Sequence, residues 1–192
     1  KHRPGSKWFH KADDDMFVNV DALNKLVGTH DERENIVLGS IQKGWKVGRQ
    51  PGKWQELKYK AKTWPPFPLG CAGHTVTRRV AEYVQGMTEM YQGEDVCMGI
   101  WLKGVARFVN SDKYRNDRKC PSEAVSVGHD LTDSDLKRCA RVIMQMAKPT
   151  AKLTEAAHCS HYSGSQVMWG AFSDMVSTLN SLHAPYTIFG GT

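Results

Sequence analysis

Three consecutive carboxylates near the start of the chain are the residues best suited to chemistry. Asp13, Asp14 and Asp15 follow residues 7–10, which are predicted to form a buried strand. Adjacent carboxylates repel one another unless a positive charge compensates them, and hard oxygen ligands suit Mg²⁺ or Mn²⁺. The pattern therefore predicts a divalent-cation site in a turn at the end of a strand. The alternative without chemistry is an exposed acidic turn or the cap of a helix that begins near Asp21.

Two further segments carry residues that could join this site. In residues 64–77, three prolines interrupt regular structure before Gly70 and Gly73, which predicts a loop whose backbone can approach a ligand closely. Glu94 and Asp95 then open a predicted helix, where the helix dipole favours a carboxylate in the first turn. Without a chemical role, the pair would be an ordinary charged helix start.

A late histidine completes the set of candidate ligands. His129 lies in residues 125–131 (VSVGHDL), and a neutral imidazole among carboxylates favours a transition metal such as Mn²⁺ over Ca²⁺. A hydrogen-bonded loop histidine is the structural alternative.

In order and spacing, these blocks resemble the β1,3-glycosyltransferase family, the group that contains β1,3-galactosyltransferases, β1,3-N-acetylglucosaminyltransferases, core-1 synthase and Fringe. Residues 11–19 (KADDDMFVN) resemble its extended Asp-x-Asp motif, and residues 64–77 resemble its Tyr-Pro-x-Tyr segment and Gly-rich turn. Residues 94–102 resemble its Glu-Asp-Val-x-x-Gly block, and residues 125–131 its late His motif. The resemblance covers about residues 7–147.

Strands that alternate with helices, with a cation turn at a strand end, favour an α/β sheet that binds its ligand at the carboxyl edge. The resemblance implies the GT-A glycosyltransferase fold, with a mixed sheet flanked by helices. Residues 1–147 would be the carboxy-terminal portion of that catalytic domain, and residues 148–192 an unassigned, partly helical extension. The family places nucleotide-binding strands, a stem and a membrane anchor earlier in the chain. We therefore expect a fragment of a single-pass type II protein of the Golgi lumen.

The resemblance also assigns roles to individual residues. Asp15 would ligate Mn²⁺ directly, with Mg²⁺ as the alternative ion. Asp13 would be a second ligand or, like Asp14, would contact the donor ribose or a water on the metal, and His129 would ligate the metal near the diphosphate. The remaining candidates would contact substrate. Lys11, Gly70 and Gly73 would contact the donor, and Trp64, His74 and Glu94 would contribute to substrate binding more generally.

The implied chemistry requires a base as well as a cation. A sugar leaves a diphosphate while an acceptor hydroxyl loses its proton, so a carboxylate must stand across the sugar from the metal. Asp95 is expected to be that base, and displacement on a UDP-α-sugar would give a β linkage. The predicted function is an inverting, metal-dependent β1,3-glycosyltransferase that moves a sugar, galactose first, from a UDP-sugar to a glycan, glycoprotein or glycolipid. The alternatives are a β1,3-N-acetylglucosaminyl- or Fringe-like transferase and a catalytically silent glycan-binding relative.

Composition and charge agree with an enzyme domain that binds anions. The 192 residues are 40% hydrophobic with a mean hydropathy of -0.51, which is typical of one globular domain or most of one. The net charge is +6, and seven basic residues fall within residues 43–62 among Trp45, Trp54 and Tyr59. This segment could be a solvated loop, a nucleic-acid surface or a contact for an anionic or bulky acceptor glycan. Nucleic acid is not the expected partner, because it gives no reason for the acidic turn.

The cysteines and the remaining hydrophobic patterns complete the analysis. Five cysteines form no Cys-x-x-Cys pair, so their pairing stays open, and residues 158–161 (HCSH) are too closely spaced for a usual zinc site. Hydrophobic periodicity predicts a strand over residues 36–41. It also predicts four helices, over residues 21–27, from residue 77 or 78 onward, after a capping box at 132–135, and over residues 167–182.

Overall fold

The computed structural model describes residues 5–128, 130–146 and 186–191, which belong to one compact unit. The strands are β1 (Trp8–Asp13), β2 (Phe17–Val18), β3 (Ile36–Gly39), β4 (Ile41–Gln42), β5 (Phe67–Pro68), β6 (His74–Thr77), β7 (Arg107–Asn110), β8 (Tyr114–Asn116), β9 (Ser126–Gly128) and β10 (Tyr186–Gly191). The helices are α1 (Val20–Val27), α2 (Arg78–Gln85), α3 (Glu94–Trp101) and α4 (Asp133–Met146), with a 3₁₀ turn over Gly70–Ala72. None of these helices is long and apolar enough to cross a membrane.

The main sheet has five strands in the order β10-β1-β6-β3-β7. Strand β6 is antiparallel to both β1 and β3, whereas β10 is parallel to β1 and β7 is parallel to β3. The carboxyl ends of β1, β3 and β7 and the amino end of β6 therefore lie at the same edge of the sheet. The predicted mixed α/β architecture is confirmed, while its assignment to the GT-A type stays a prediction.

Helices α2 and α3 cover one face of this sheet through a shared hydrophobic core. The buried members of this core are Phe9, Val37, Ile41, Val76, Val80, Met98 and Leu102. Helix α3 also packs closely on β5, because a Cβ at Gly99 would lie 2.7 Å from the Pro66 carbonyl oxygen. Close packing of this kind fixes the position of α3 against β5.

Strand β1 is longer than the sequence predicts. It continues from the expected residues 7–10 to Asp13, because β6 pairs with it as far as Lys11 and β10 pairs with it as far as Asp13. The predicted strand 36–41 divides into β3 and β4, and α1 begins at Val20 with Asn19 as its cap.

The remaining predicted helices are recovered where the structure describes them. Helix α2 begins at Arg78, as predicted, and ends at Gln85. The capping box of α4 is confirmed, because the Thr132 N–H donates to Asp135 Oδ2 at 3.1 Å and the Asp135 N–H donates to Thr132 Oγ1 at 3.3 Å. A disulfide joins Cys120 to Cys139. The predicted helix 167–182 and the HCSH segment lie outside the described residues.

Candidate active site

The acidic turn lies at the carboxyl end of β1. Asp13 is the last residue of the strand, and the N–H of Met16 donates to the Asp13 carbonyl at 3.3 Å to close the turn. Asp14 is exposed, whereas Asp15 is half-buried and accepts the Asp130 N–H on Oδ2 at 3.0 Å. The other oxygen, Asp15 Oδ1, is buried and has no hydrogen-bond partner among the residues that the structure describes. A buried anionic oxygen left without compensation is costly, so this atom is the one in the turn best placed to meet a cation.

Lys11 joins the acidic turn to the Glu-Asp pair of α3. Its Nζ lies 2.6 Å from Asp13 Oδ1 and 3.4 Å from Glu94 Oε2. Burial lowers the pKa of Lys11, but the hydrogen bond to Asp13 and the charge of Glu94 outweigh it, and the net pKa is raised. Burial raises the pKa of Glu94, with Asp95 adding to the rise and Lys11 opposing it. Two motifs that are far apart in the chain thus share the ammonium group of Lys11.

Asp95 is oriented by backbone N–H groups. The Gly70 N–H donates to Asp95 Oδ2 at 3.3 Å, and the Val96 N–H donates to Asp95 Oδ1 at 2.8 Å. A Cβ at Gly70 would lie 3.6 Å from both Asp95 Oδ2 and Glu94 Oε2 and would fill the space beside the two carboxylates. The loop that contains Gly70 therefore both holds Asp95 and leaves room next to it.

Gly73 fixes the path of the same loop. Its φ of +70° lies in the left-handed region, and a Cβ there would lie 2.9 Å from the Lys11 carbonyl oxygen and 3.1 Å from Met16 Cε. Only glycine meets both conditions without strain. The loop is therefore packed directly on β1 and on the acidic turn.

The fourth block also reaches the acidic turn. The Leu131 N–H donates to the Asp15 carbonyl at 3.2 Å, and a Cβ at Gly128 would lie 2.5 Å from Met16 Cγ. These residues stand on either side of His129, which itself lies outside the described residues, so its assignment as a ligand stays a prediction. Among the residues described, no group of three or more His, Cys, Asp or Glu side chains is arranged to hold a metal ion.

Trp64 and His74, two candidates for substrate contact, are buried. Trp64 is 9% exposed, lies in a cluster with Phe67 and Val96, and stacks on Tyr59 with ring centroids 5.0 Å apart. His74 is 5% exposed within β6. Substrate contact by either residue stays a prediction.

A buried polar network behind the site was not predicted. The Tyr114 hydroxyl donates to Thr75 Oγ1 at 2.7 Å, and Thr75 Oγ1 lies 2.8 Å from His10 Nδ1. Burial, together with the charge of Lys11, lowers the pKa of His10 to about 4. Burial, Lys11 and His10 lower the pKa of His74 to about 3. The sequence predicts a buried strand at residues 7–10, which include His10, but a loop over residues 64–77, so it does not predict the burial of His74 within β6.

Cys71 is a second site residue that the sequence analysis did not single out. Its thiol donates to Asn116 Oδ1 at 3.2 Å. Burial raises the pKa of the Cys71 thiol, and the charges of Asp95 and Asp13 raise it further. A protonated thiol is a poor nucleophile, so the environment of Cys71 does not favour covalent chemistry at this residue.

Comparisons with known proteins agree with this geometry. The family model described as Galactosyltransferase matches residues 1–109, more than half of the chain. The UDP-GalNAc:beta-1,3-N-acetylgalactosaminyltransferase 2 of Xenopus laevis is 34% identical over 122 residues, which are 60% of this chain and 24% of the relative. The enzyme of the same name from Danio rerio is 38% identical over 99 residues, which are 50% of this chain and 20% of that relative.

A plant relative is similar over a longer stretch. The Beta-1,3-galactosyltransferase GALT1 of Arabidopsis thaliana is 29% identical over 137 residues, which are 65% of this chain and 20% of the relative. The aligned part thus spans about a quarter or less of the length of these relatives. Since the family model covers most of the blocks that form the site, the chain belongs to the galactosyltransferase family of β1,3-glycosyltransferases.

Proposed function

We propose that this chain forms part of an inverting, metal-dependent β1,3-glycosyltransferase that uses a UDP-sugar donor. One observation carries the proposal: the acidic turn and the Glu-Asp pair meet at the same sheet edge, where Lys11 Nζ contacts both Asp13 and Glu94. A glycosyl transfer requires a site for the leaving diphosphate, which the acidic turn would supply through a bound cation. It also requires a base for the acceptor hydroxyl, which the Glu-Asp pair would supply.

Asp95 is the base in this proposal. The acceptor oxygen forms a bond to the anomeric carbon while the bond from that carbon to the diphosphate oxygen breaks, and the electron pair leaves with UDP. The hydroxyl proton passes to Asp95. Because its two oxygens already accept N–H groups of Gly70 and Val96, the carboxylate is held in one orientation before substrate binds. Attack from the face opposite the leaving group inverts the anomeric centre.

The residues of the acidic turn fit a divalent cation. Mg²⁺ and similar ions are usually held by one or two carboxylates together with substrate phosphates and water, so a cluster of three protein ligands is not required. Asp15 Oδ1, which lacks a hydrogen-bond partner among the described residues, fits this arrangement as the principal ligand, with Asp13 as the second and His129 as a further candidate. When bound, Mn²⁺ or Mg²⁺ would stabilise the negative charge of the departing diphosphate.

The donor sugar is proposed to have the galacto configuration. Galactose is the first candidate, and the relatives named as N-acetylgalactosaminyltransferases support N-acetylgalactosamine as the second. The two sugars differ only in the group at C2, so the same site chemistry serves both. The acceptor is proposed to be a hydroxyl of a protein- or lipid-linked glycan in the Golgi lumen. The Cys120–Cys139 disulfide supports an oxidising compartment of this kind.

Three matched variants test the proposal. Asp95→Asn should lower transfer from UDP-galactose or UDP-N-acetylgalactosamine by about 10²- to 10⁴-fold, the usual contribution of a general base, while UDP binding with Mn²⁺ stays near that of the parent. Asp15→Asn should lose both properties. Asp21→Asn is the control, because it neutralises an exposed carboxylate of α1 that has no role in the proposed site.

Calorimetry of UDP with Mn²⁺ or with a chelator, combined with a transfer assay, reads out these differences. A thermal melt of each variant identifies any loss of folding. Near-normal transfer by Asp95→Asn would refute the assignment of the base. Equal UDP binding in chelator would refute the assignment of the cation site.

A further inference from the structure

The loop of residues 43–66, which joins β4 to β5, holds the net charge of the whole protein. It contains seven of the 26 basic residues of the chain and one of its 20 acidic residues, Glu56. The rest of the chain therefore carries 19 basic and 19 acidic residues. The loop also holds Trp45 and Trp54, and we call it the basic-aromatic loop. Loops of this length without regular structure are uncommon in compact domains and are usually functional or disordered.

Specific hydrogen bonds hold the basic-aromatic loop in a defined shape. Arg49 donates to the carbonyl of Glu56 and, through Nη2, to the carbonyls of Tyr59 at 2.7 Å and Ala61 at 2.8 Å. The buried Glu56 carboxylate accepts the backbone N–H of Tyr59 at 3.0 Å and that of Lys58. Two charged side chains, the exposed Arg49 and the buried Glu56, thus hold the backbone of the loop in place.

The outer surface of the loop shows aromatic and basic side chains. Trp45 is 51% exposed and Trp54 is 64% exposed, although large apolar side chains of this kind are usually buried. Lys53 Nζ lies 4.8 Å from the centre of the Trp54 ring. Six lysines of the loop are exposed: Lys43, Lys46, Lys53, Lys58, Lys60 and Lys62. Aromatic faces bind the apolar faces of sugar rings, and ammonium groups bind carboxylate, sulfate or phosphate.

The loop lies next to the proposed base. Glu56 Oε2 accepts the N–H of Gln92 at 2.9 Å, and the Gln92 side chain donates to the Lys53 carbonyl. Gln92 precedes Asp95 by three positions in the short segment that leads into α3. A molecule that places a hydroxyl at Asp95 can therefore extend directly onto the loop.

We propose that the basic-aromatic loop binds a negatively charged part of the acceptor glycan, a carboxylate or a sulfate on a sugar next to the one that reacts. This inference rests on the proposed function, since it assumes that Asp95 receives an acceptor hydroxyl. Trp54 supplies a stacking surface and the exposed lysines supply the charge complement.

The acidic residues beside the loop favour such a glycan over a nucleic acid. The five carboxylates of the proposed site, those of residues 13–15, 94 and 95, would repel a ligand that carries one charge per unit along its length. An oligosaccharide can place a neutral sugar at these carboxylates and its anionic group on the lysines. The arrangement therefore selects a ligand that is charged at one end.

The test measures binding of four probes to the protein by calorimetry or glycan array. The probes are a neutral N-acetyllactosamine tetrasaccharide, the same chain with one sulfate, the same chain with one sialic acid, and a single-stranded 12-nucleotide DNA. The loop variant replaces three exposed lysines: Lys43→Gln, Lys46→Gln and Lys62→Gln. The control variant replaces three exposed lysines of other elements: Lys25→Gln, Lys103→Gln and Lys137→Gln.

In 0.1 M salt the parent and the control variant should bind at least one anionic oligosaccharide about tenfold more tightly than the neutral one, because several surface charges of modest individual effect act together. The loop variant should lose this preference. The preference should also shrink in 1 M salt, where the screening length falls from about 10 Å to about 3 Å. The sulfate and sialic acid probes show which anionic group is recognised.

A separate variant tests the aromatic surface. Trp54→Ala should weaken binding of all three oligosaccharides about equally, since stacking does not depend on the charge of the ligand. A loss confined to the anionic probes would contradict this role for Trp54.

UDP binding with Mn²⁺, measured on every variant, separates this inference from the proposed function. Equal binding of neutral and anionic oligosaccharides, or equal losses in the loop and control variants, would overturn the loop assignment while UDP binding stayed intact. Tighter binding of the DNA than of either anionic oligosaccharide would overturn it in favour of a nucleic-acid surface. A parent protein that failed to bind UDP would overturn the proposed function whatever the oligosaccharides did.

Discussion

Mild acid should destabilise this protein through two buried histidines. The pKa of His10 is lowered to about 4 and that of His74 to about 3, whereas both groups have an ordinary value of 6.5. Between these limits the unfolded chain binds protons that the folded chain does not, so stability must fall as the pH falls below 6.5. The charge of Lys11 and the burial of both rings are the physical causes.

The size of the effect follows from the same values. Each pH unit below 6.5 favours the unfolded chain by about 1.4 kcal/mol per histidine while the folded ring remains neutral. At pH 5 the cost is roughly 2 kcal/mol for each ring and roughly 4 kcal/mol for His10 and His74 together. Because whole domains are stable by only about 5–15 kcal/mol, this loss should be plain in an unfolding curve.

Urea unfolding at intervals from pH 7.5 to pH 5 measures the effect. His10→Gln and His74→Gln should each remove about half of the pH dependence, even if both lower stability at pH 7.5. His30→Gln is the control, since the partly buried His30 ring has a pKa that burial and the Arg107 charge lower less far. A free energy of unfolding that did not change over this range, or variants with the slope of the parent, would refute the reasoning.

Three further changes test how the site and its loops are held. Gly73→Ala should destabilise the protein by about 1–3 kcal/mol, and by more than Gly44→Ala. The two glycines have similar positive φ, but of the two only Gly73 would place a Cβ against a backbone carbonyl. Equal losses in thermal melts of the two variants would contradict this. Cys139→Ser should cost about 3 kcal/mol by opening the disulfide to Cys120, and a parent melted in reductant should match it. Glu56→Gln should cost about 1–3 kcal/mol and speed hydrogen exchange at the amides that this carboxylate accepts, whereas unchanged exchange would remove its structural role.

The position of the acidic turn could be predicted because local patterns determine it. An apolar run that stops at Asp13 predicts a strand end, and Glu94 and Asp95 predict a helix start. The contact of Lys11 with Glu94 could not be predicted, since it depends on how β1 and α3 are placed by packing between distant parts of the chain. Local sequence gives elements more readily than it gives their neighbours.

Strand β10 shows the same limit from the other side. Residues 186–191 pair in parallel with β1 along its whole length, yet no turn or hairpin signal links the two strands. Parallel pairing between segments that are distant in the chain leaves no signal in the local sequence of either strand.

On the proposed function, the charges of the site also determine when a donor can bind. The proposed site contains five carboxylates, those of residues 13–15, 94 and 95, and one ammonium group, that of Lys11, so it carries net negative charge before any ligand enters. A UDP diphosphate would add charge of the same sign, and at separations of about 4 Å each unscreened pair would cost on the order of 4 kcal/mol near a protein surface. Donor binding should therefore require that a cation be present first or enter with UDP. The acceptor differs from the donor in this respect, because the lysines of the basic-aromatic loop are proposed to attract its anionic group without an added cation.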